Sequence, residues 1–247
     1  MSEPTPQIKR PRGIYLLPNL FTTAALFAGF YAITAAINER YEPAAVAIFV
    51  AMILDGLDGR VARLTNTQSA FGGEYDSMAD LISFGAAPAL VLYIWSLAGL
   101  GKLGWVAAFV HAAGAALRLA RFNTQIGTAD KRYFQGLPSP SAAAILAGFI
   151  WTCVEYDLTG TQAAYVGLGL SIATGLLMVS NFRYNSFKDI DLRGRMPFVK
   201  AILVMLAFAV IFTNPPLVLF LIFTGYAVSG PAMTLLMLRR RRTERRV

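Results

Sequence analysis

Four aspartates stand close together in the sequence, at spacings that can build a metal site. Asp55 and Asp58 are three residues apart, and Asp76 and Asp80 are four apart. Residues three or four apart share one face of a helix, so each pair presents two carboxylates in the same direction. Carboxylates brought together repel one another, and a ligand set made only of oxygen favours Mg²⁺, Ca²⁺ or Mn²⁺ over Zn²⁺. The four aspartates therefore predict a divalent-cation site.

The residues around the aspartates leave room for a bulky, phosphate-containing ligand. Gly59 and Ala62 lie on or beside the aspartate face, and Gly72 allows close approach of the backbone. Arg63 can bind a phosphate through two parallel hydrogen bonds. Two cations about 3.5–4 Å apart, bridged by carboxylates, would suit in-line displacement at phosphorus.

The composition indicates the class of protein to which these residues belong. Of the 247 residues, 56% are hydrophobic and only 15% are charged, against roughly 25% charged in a typical globular domain. So few charges cannot cover a soluble protein of this size, and 12% aromatic residues exclude a disordered chain or a coiled coil. Cys153 is the only cysteine, which excludes a disulfide scaffold. The sequence predicts an all-α, polytopic membrane helix bundle.

The apolar runs predict about eight transmembrane helices, since a span needs about 20 apolar residues. The predicted spans are 18–37, 43–65, 77–98, 103–122, 139–157, 162–180, 198–213 and 216–238. Residues 1–17 would form a cytoplasmic or interfacial segment, 18–238 the membrane domain, and 239–247 a basic cytoplasmic tail.

The basic residues predict the orientation of the bundle. The net charge is +8, and of the Lys and Arg residues only Arg40 and Lys102 fall in the predicted outer loops. Basic residues accumulate on the cytoplasmic side of a membrane. We therefore expect both termini in the cytoplasm, a bacterial-type cytoplasmic (inner) membrane, and an active site facing the cytoplasm. Because the charges follow the span ends rather than one exposed face, we expect no nucleic-acid partner.

The predicted spans bring the aspartates together. A short connection over residues 64–75 makes spans two and three an antiparallel hairpin, so the Asp55 and Asp76 faces can converge. Two other interpretations are open. The aspartates can be helix-end charges paired with Arg60 and Arg63, or they can line a cation pathway, which predicts carboxylates nearer to mid-membrane.

The same stretch resembles the CDP-alcohol phosphatidyltransferases. The pattern Asp55-x2-Asp58-Gly59-x2-Ala62-Arg63-x8-Gly72-x3-Asp76-x3-Asp80 matches the signature of that family without a departure. These enzymes displace CMP from a CDP-alcohol with a second alcohol. The resemblance implies the following roles. Asp55, Asp58, Asp76 and Asp80 hold Mg²⁺ or Mn²⁺ in a two-metal site, and Asp80 is also the base. CDP-diacylglycerol binds against Asn19, Thr22, Asp58, Gly59, Ala62, Arg63 and Gly72.

Four further stretches resemble one branch of this family, the bacterial membrane-type phosphatidylserine synthases. They are residues 80–89, 118–123, 134–140 and 180–188. A zwitterionic amino-acid acceptor needs a cation for its carboxylate, and Arg118, Arg121 and Asn123 follow at the cytoplasmic end of span four. Positive-inside anchoring would also place arginines there.

The resemblance implies transfer of the phosphatidyl group from CDP-diacylglycerol to L-serine, with membrane lipids around the enzyme and a homodimer as an allowed assembly. The alternatives are another acceptor (glycerol 3-phosphate, an inositol phosphate or choline), an aspartate-rich membrane prenyltransferase, and a cation transporter.

Overall fold

The computed structural model describes residues 16–124, 133–185 and 198–244. Most of the predicted 1–17 segment, and the last three residues of the predicted tail, lie outside this part of the chain. The described residues form eight helices. They are α1 (Leu16–Ile37), α2 (Tyr41–Thr65), α3 (Ala70–Leu100), α4 (Lys102–Thr124), α5 (Ser139–Glu155), α6 (Gly160–Val179), α7 (Phe198–Thr213) and α8 (Pro215–Glu244).

The predicted fold class is confirmed. Within the described ranges, five helices are long and apolar enough to cross a membrane, namely α1, α3, α4, α6 and the Pro215–Leu235 part of α8, and α5 is a shorter apolar helix. The count of eight crossings stays a prediction. The basic tail predicted from residue 239 begins inside α8, which continues to Glu244.

Helix α3 begins seven residues before its predicted start. Ser69 has an extended backbone, and its hydroxyl oxygen accepts a hydrogen bond from the Gly72 N–H at 3.0 Å, which is an N-terminal cap. At the other side of the turn, Asn66 adopts the left-handed conformation that ends α2, with φ of 50°. The connection predicted over 64–75 is therefore only 66–69, and Asp76 stands in the second turn of a capped helix.

Two π-helical turns interrupt α3, at Leu81–Ala86 and Tyr93–Leu97. Phe84 lies in the first, and its carbonyl lies 3.2 Å from Nε2 of the buried His111 of α4. Because a carbonyl can only accept, Nε2 carries the proton, and Nδ1 accepts from the Thr174 hydroxyl of α6 at 2.8 Å. His111 thus joins three helices beside the first π turn, which directly follows Asp80.

Small residues let the first three helices approach closely. A methyl group at Gly29 of α1 would stand 2.6 Å from Ser83 Oγ and 2.7 Å from Ser83 Cα in α3. The Ser83 hydroxyl donates to the Ala25 carbonyl of α1 at 3.1 Å. Such contacts are typical of helix packing in membranes, where small residues and interhelical hydrogen bonds replace the hydrophobic effect as the driving force. They fix α1 against the part of α3 that follows Asp80.

A short strand pair, which the sequence did not predict, joins two of the stretches singled out there. Strand β1 (Tyr133–Gln135) pairs antiparallel with β2 (Arg183–Asn185), with Phe134 opposite Tyr184. The Gly136 N–H donates to the Phe182 carbonyl at 2.9 Å next to this pair. The pair holds the start of α5 beside the end of α6.

Large apolar side chains cover the outside of the bundle. They include Phe27 and Phe30 of α1 and Trp105 and Phe109 of α4, each more than half exposed. Exposed apolar surface on this scale is stable only in lipid, so the chain is an integral membrane protein.

Candidate active site

Three of the four predicted aspartates meet where the facing ends of α2 and α3 lie side by side. Asp55 of α2 and Asp76 and Asp80 of α3 each offer a carboxylate oxygen, and these three oxygens lie within 4.8 Å of one another. All three side chains are half-buried. Like charges this close are unfavourable unless a cation or a proton neutralises them.

One atom of this cluster tests whether a cation fits. Oδ1 of Asp76 is buried, and it accepts no hydrogen bond from the described residues. A buried polar atom is expensive to leave without a partner. Carboxylate oxygens are the preferred ligands of Mg²⁺ and Mn²⁺, so this aspartate cluster can bind a divalent metal.

The fourth aspartate lies beside the cluster and is held differently. Asp58 is only 5% exposed, and its Oδ2 accepts a hydrogen bond from the Thr22 hydroxyl of α1 at 2.7 Å. It still interacts electrostatically with Asp76. The predicted nucleotide-site residue Thr22 therefore orients a predicted metal ligand, through a contact between residues that are 36 positions apart.

The remaining predicted nucleotide residues lie around the same ends of α1, α2 and α3. A methyl group at Gly72 would stand 3.4 Å from Asn19 Oδ1, so α1 and the start of α3 meet there. The guanidinium of Arg63 folds back over Gly59, with Nη1 3.4 Å from the position of a methyl group on that glycine. Ala62 is half-buried and Arg63 is exposed. The structure therefore brings these positions to one end of the bundle, beside the aspartates.

Helix α1 contacts the site through a second threonine that the sequence analysis missed. The Thr23 hydroxyl lies 2.9 Å from the Tyr75 hydroxyl of α3. Thr22 and Thr23 thus reach α2 and α3 respectively. The sequence signal for this contact was the pair of adjacent threonines in an otherwise apolar helix.

Of the three predicted acceptor residues, Arg118 lies at the aspartate cluster. Its Nη1 donates to the Ser139 hydroxyl of α5 at 2.7 Å. Asp80 and Asp55 are the carboxylates that act electrostatically on its guanidinium. Arg118 thus has a hydrogen-bond partner on α5 and acts electrostatically on Asp80.

Arg121 and Asn123 make other contacts. Arg121 donates to the carbonyls of Val179 and Ser180 at 3.2 and 3.4 Å, which are orphan acceptors at the end of α6. Asn123 exchanges hydrogen bonds with the Ser77 hydroxyl at 3.1–3.3 Å. The structure does not bring Arg121 to the aspartates, whereas Asn123 reaches the residue that follows Asp76. Their assignment to serine binding stays a prediction.

The hydrogen bond between Arg118 and Ser139 was not anticipated. Ser139 belongs to the 134–140 stretch that resembles the phosphatidylserine synthases, so a signal for Ser139 existed.

Comparison with known proteins identifies the class that this arrangement defines. Residues 15–177 match the model of the CDP-alcohol phosphatidyltransferase family. The chain belongs to that family, and the prediction made from the aspartate signature is confirmed. All the predicted metal and nucleotide residues lie inside the matched region.

Three relatives within the family are similar to this chain over more than half of its length. A Helicobacter pylori (strain J99) protein is 38% identical over 202 residues, covering 82% of this chain and 84% of the relative. A Mycobacterium bovis protein is 38% identical over 183 residues, covering 64% and 63%. A Methanocaldococcus jannaschii protein is 38% identical over 142 residues, covering 58% and 63%. Each is named a CDP-diacylglycerol–serine O-phosphatidyltransferase.

Proposed function

We propose that this protein transfers the phosphatidyl group from CDP-diacylglycerol to the hydroxyl of L-serine, giving phosphatidylserine and CMP. The observation that carries the proposal is the cluster of Asp55, Asp76 and Asp80, whose ligand oxygens lie within 4.8 Å of one another at positions given by the family signature. The choice of serine is supported by the names of the relatives, among them the Helicobacter pylori protein that covers 82% of this chain.

Asp55, Asp76 and Asp80 would hold Mg²⁺ or Mn²⁺, with Asp58 as a further ligand toward a second cation. The buried Asp76 Oδ1, which lacks a donor among the described residues, supports this assignment. When bound, the cations would neutralise the diphosphate and stabilise the negative charge on the departing CMP.

Side chains of the protein bind the nucleotide and accept the proton of the acceptor hydroxyl. Gly59, Ala62, Arg63 and Gly72, with Asn19 and Thr22, bind the nucleotide end of CDP-diacylglycerol. The serine hydroxyl oxygen attacks the phosphorus that carries diacylglycerol, its proton passes to Asp80, and the bond from that phosphorus to the oxygen of CMP breaks. CMP leaves with the electron pair, and no bond to the enzyme forms.

Arg118 is the residue best placed to bind the acceptor. The hydroxyl and the carboxylate of serine are only a few bonds apart, so the cation that binds the carboxylate must lie close to the base. Arg118 interacts electrostatically with Asp80, whereas Arg121 is bound to the end of α6. The geometry therefore favours Arg118 over Arg121 for this role.

The position in the cell is part of the same proposal. We infer a bacterial-type inner membrane with the aspartate cluster facing the cytoplasm, because all basic residues except Arg40 and Lys102 fall at the predicted cytoplasmic ends. The family resemblance also supports a homodimer. Cross-linking in native membranes tests it, since a dimer predicts a product of twice the 26.8 kDa monomer mass.

An acceptor panel tests the reaction. Purified protein in mixed micelles with CDP-diacylglycerol and a divalent cation would receive L-serine, glycerol 3-phosphate, an inositol phosphate or choline, one at a time. We expect phosphatidylserine to form with the highest kcat/KM. A higher kcat/KM with another acceptor would overturn the serine assignment and leave the chemistry intact, and no turnover with any acceptor would overturn both.

A further inference from the structure

The buried histidine of α4 has no part in the reaction proposed above, yet it contacts the segment of α3 that directly follows Asp80. His111 is the only histidine in the sequence and is completely buried. Its Nε2 donates to the Phe84 carbonyl at 3.2 Å, and its Nδ1 accepts from the Thr174 hydroxyl at 2.8 Å. The ring of His111 therefore connects α3 to α6, four residues after Asp80.

The contacted segment is the first π turn of α3, and this turn determines where the residues before it point. The Ala87 N–H donates to the Ile82 carbonyl five residues earlier, so the turn holds one residue more than an α turn. If the same residues formed regular α-helix, the part of α3 before the turn would rotate by about 100° relative to the part after it. Asp76 and Asp80 lie in the part before the turn. Their direction toward Asp55 therefore depends on the π turn.

The start of α3 is fixed by other contacts, so the contact of His111 matters most for Asp80. The Tyr75 hydroxyl lies 2.9 Å from that of Thr23, which holds the first turns of α3 against α1. Asp80 instead adjoins the π turn, in which Phe84 is completely buried. Without His111 the Phe84 carbonyl would lose its donor from α4, and the loss of a donor to a buried acceptor is unfavourable. The π turn would then rearrange, and Asp80 would move with it.

Close packing fixes α4 between the π turn and α6. A methyl group at Gly85 of the π turn would stand 3.0 Å from the Ala115 side chain of α4, and one at Gly114 would stand 2.5 Å from the Gly175 carbonyl oxygen of α6. Arg118 follows Ala115 by three residues and shares its face of α4. The helix that carries His111 and Arg118 therefore has little room to slide or turn against its two neighbours.

We propose that His111 is a positioning residue of the active site. By holding the π turn at Phe84, it keeps the Asp80 carboxylate beside those of Asp55 and Asp76, where it can bind the metal and accept the proton of the acceptor. This inference rests on the proposed function, which gives Asp80 these two roles.

Nuclear magnetic resonance tests whether the hydrogen bond to Phe84 is present. Because the chain has one histidine, ¹⁵N-histidine labelling of protein with a histidine-free tag reports on His111 alone. The chemical shifts of the ring nitrogens distinguish a protonated from an unprotonated nitrogen. We expect a proton on Nε2 and none on Nδ1. An Nε2 without a proton could not donate to the Phe84 carbonyl and would overturn the proposal.

Steady-state kinetics and Mn²⁺ binding test what the hydrogen bond does. His111→Leu removes both hydrogen bonds of the ring, whereas His111→Gln keeps an N–H that can donate to the Phe84 carbonyl. A misplacement of about 1 Å can cost 10²-fold in rate, so we expect His111→Leu to lower kcat by roughly 10- to 100-fold. It should also weaken Mn²⁺ binding, while a non-reactive CDP-diacylglycerol analogue still binds because α1 holds the start of α3. His111→Gln should recover most of the lost kcat.

Ser171→Ala is the matched control for a purely structural effect. The buried Ser171 hydroxyl of α6 donates to the Ala107 carbonyl of α4 at 2.8 Å. Ser171→Ala thus removes a buried hydrogen bond between the same two helices without touching the π turn. We expect its Tm to fall, as that of His111→Leu does, but its kcat and its Mn²⁺ binding should equal those of the wild type.

A milder variant tests the same role in a protein that keeps the histidine. Thr174→Val removes only the donor to Nδ1, so the ring is held less firmly. It should lower kcat by less than His111→Leu, and in a His111→Leu background it should have no further effect on kcat, because Thr174 acts through His111. If His111→Leu does not fold, the comparison of Thr174→Val with Ser171→Ala decides, and equal kcat values for these two variants would overturn the proposal.

Three results with folded variants would also overturn the role of His111. They are unchanged kcat and Mn²⁺ binding in His111→Leu, an equal loss of kcat in Ser171→Ala, or a His111→Gln variant that is no more active than His111→Leu. Failure of the proposed function is a different result, since wild-type protein would then make no phosphatidylserine at all. Mn²⁺ binding would still distinguish His111→Leu from Ser171→Ala in that case.

Discussion

The buried Oδ1 of Asp76 is the atom on which the metal assignment depends most. Replacing Asp76 by Asn removes a charge and puts an amide beside Asp55 and Asp80, so one metal ligand weakens and the site loses charge. We expect Asp76→Asn to lower activity by at least 10²-fold and to weaken Mn²⁺ binding. The concentration of free Mn²⁺, measured by electron paramagnetic resonance, reports the binding. Excess chelator should abolish wild-type activity, and added Mg²⁺ or Mn²⁺ should restore it.

A matched control lies two residues away on the same helix. Glu74 is exposed, and Glu74→Gln removes a charge of the same sign without touching the cluster. It should bind Mn²⁺ and turn over as the wild type does. Equal Mn²⁺ binding by Asp76→Asn and wild type would contradict the assignment of Asp76 as a ligand.

Asp80 is assigned the role of base in addition to that of a metal ligand, so its variant should lose the proton acceptor as well as a ligand. General-base catalysis typically contributes 10²–10⁴-fold to a rate. Asp80→Asn should lower kcat by about this factor while CDP-diacylglycerol still binds, because the nucleotide contacts lie at Gly59, Arg63 and Gly72. Equilibrium binding of a non-reactive CDP-diacylglycerol analogue, compared with steady-state kcat, separates the two. If Asp80→Asn lost binding of the analogue but kept the wild-type kcat, the role of Asp80 as base would be contradicted.

At the scale of the elements, the contact between α1 and α3 holds α1 against the helix that carries Asp76 and Asp80. Gly29→Ala would put a methyl group 2.6 Å from Ser83 Oγ. Overpacking of this kind costs about 1–3 kcal/mol, and each kcal/mol lowers the Tm of a protein of this size by roughly 2–4 °C. We expect a lower Tm in detergent micelles, together with reduced activity because Thr22 moves away from Asp58.

Gly169→Ala provides the comparison for this variant. Gly169 lies in α6 with no atom within 4 Å of the added methyl group, and replacing glycine by alanine in a helix gains up to about 1 kcal/mol. The Tm of Gly169→Ala should stay the same or rise. Equal Tm values for both variants would show that the Gly29–Ser83 approach is not tight.

The sequence predicted the helices well because each is a long apolar run bounded by Pro, Gly or charged residues. The start of α3 was missed, since a cap at Ser69 depends on the backbone conformation there and not on hydrophobicity. The β1–β2 pair was missed for a related reason. Each strand has three residues, which is too short for a periodic pattern, and they pair only because α5 and α6 bring them together.

The site was predictable to the extent that its residues are close in sequence. Asp55 through Asp80 span 26 positions, and helical spacing brings them to one face. The contacts of Thr22 with Asp58 and of Arg118 with Ser139 join different helices, and no spacing rule predicts them.

The orientation proposed for the whole molecule rests on its basic residues and can be tested directly. Gln68 precedes the start of α3, Lys102 follows its end, and both are exposed. The native Cys153 is buried and can be replaced by Ala. In spheroplasts, an impermeant maleimide should label Lys102→Cys at once and Gln68→Cys only after the membrane is disrupted. Labelling of Gln68→Cys from outside would reverse the topology and place the aspartates on the other side.

Direct transfer from CDP-diacylglycerol to serine at the aspartate cluster makes CMP release depend on serine, and this dependence can be measured. Enzyme at micromolar concentration would be mixed rapidly with CDP-diacylglycerol and Mg²⁺, with or without L-serine. The amounts of CMP and of lipid product would be measured separately in the same samples. We predict that no CMP burst appears without serine, and that with serine CMP and phosphatidylserine form one for one. A serine-independent burst of one CMP per enzyme would contradict direct transfer, because it would reveal a covalent phosphatidyl-enzyme.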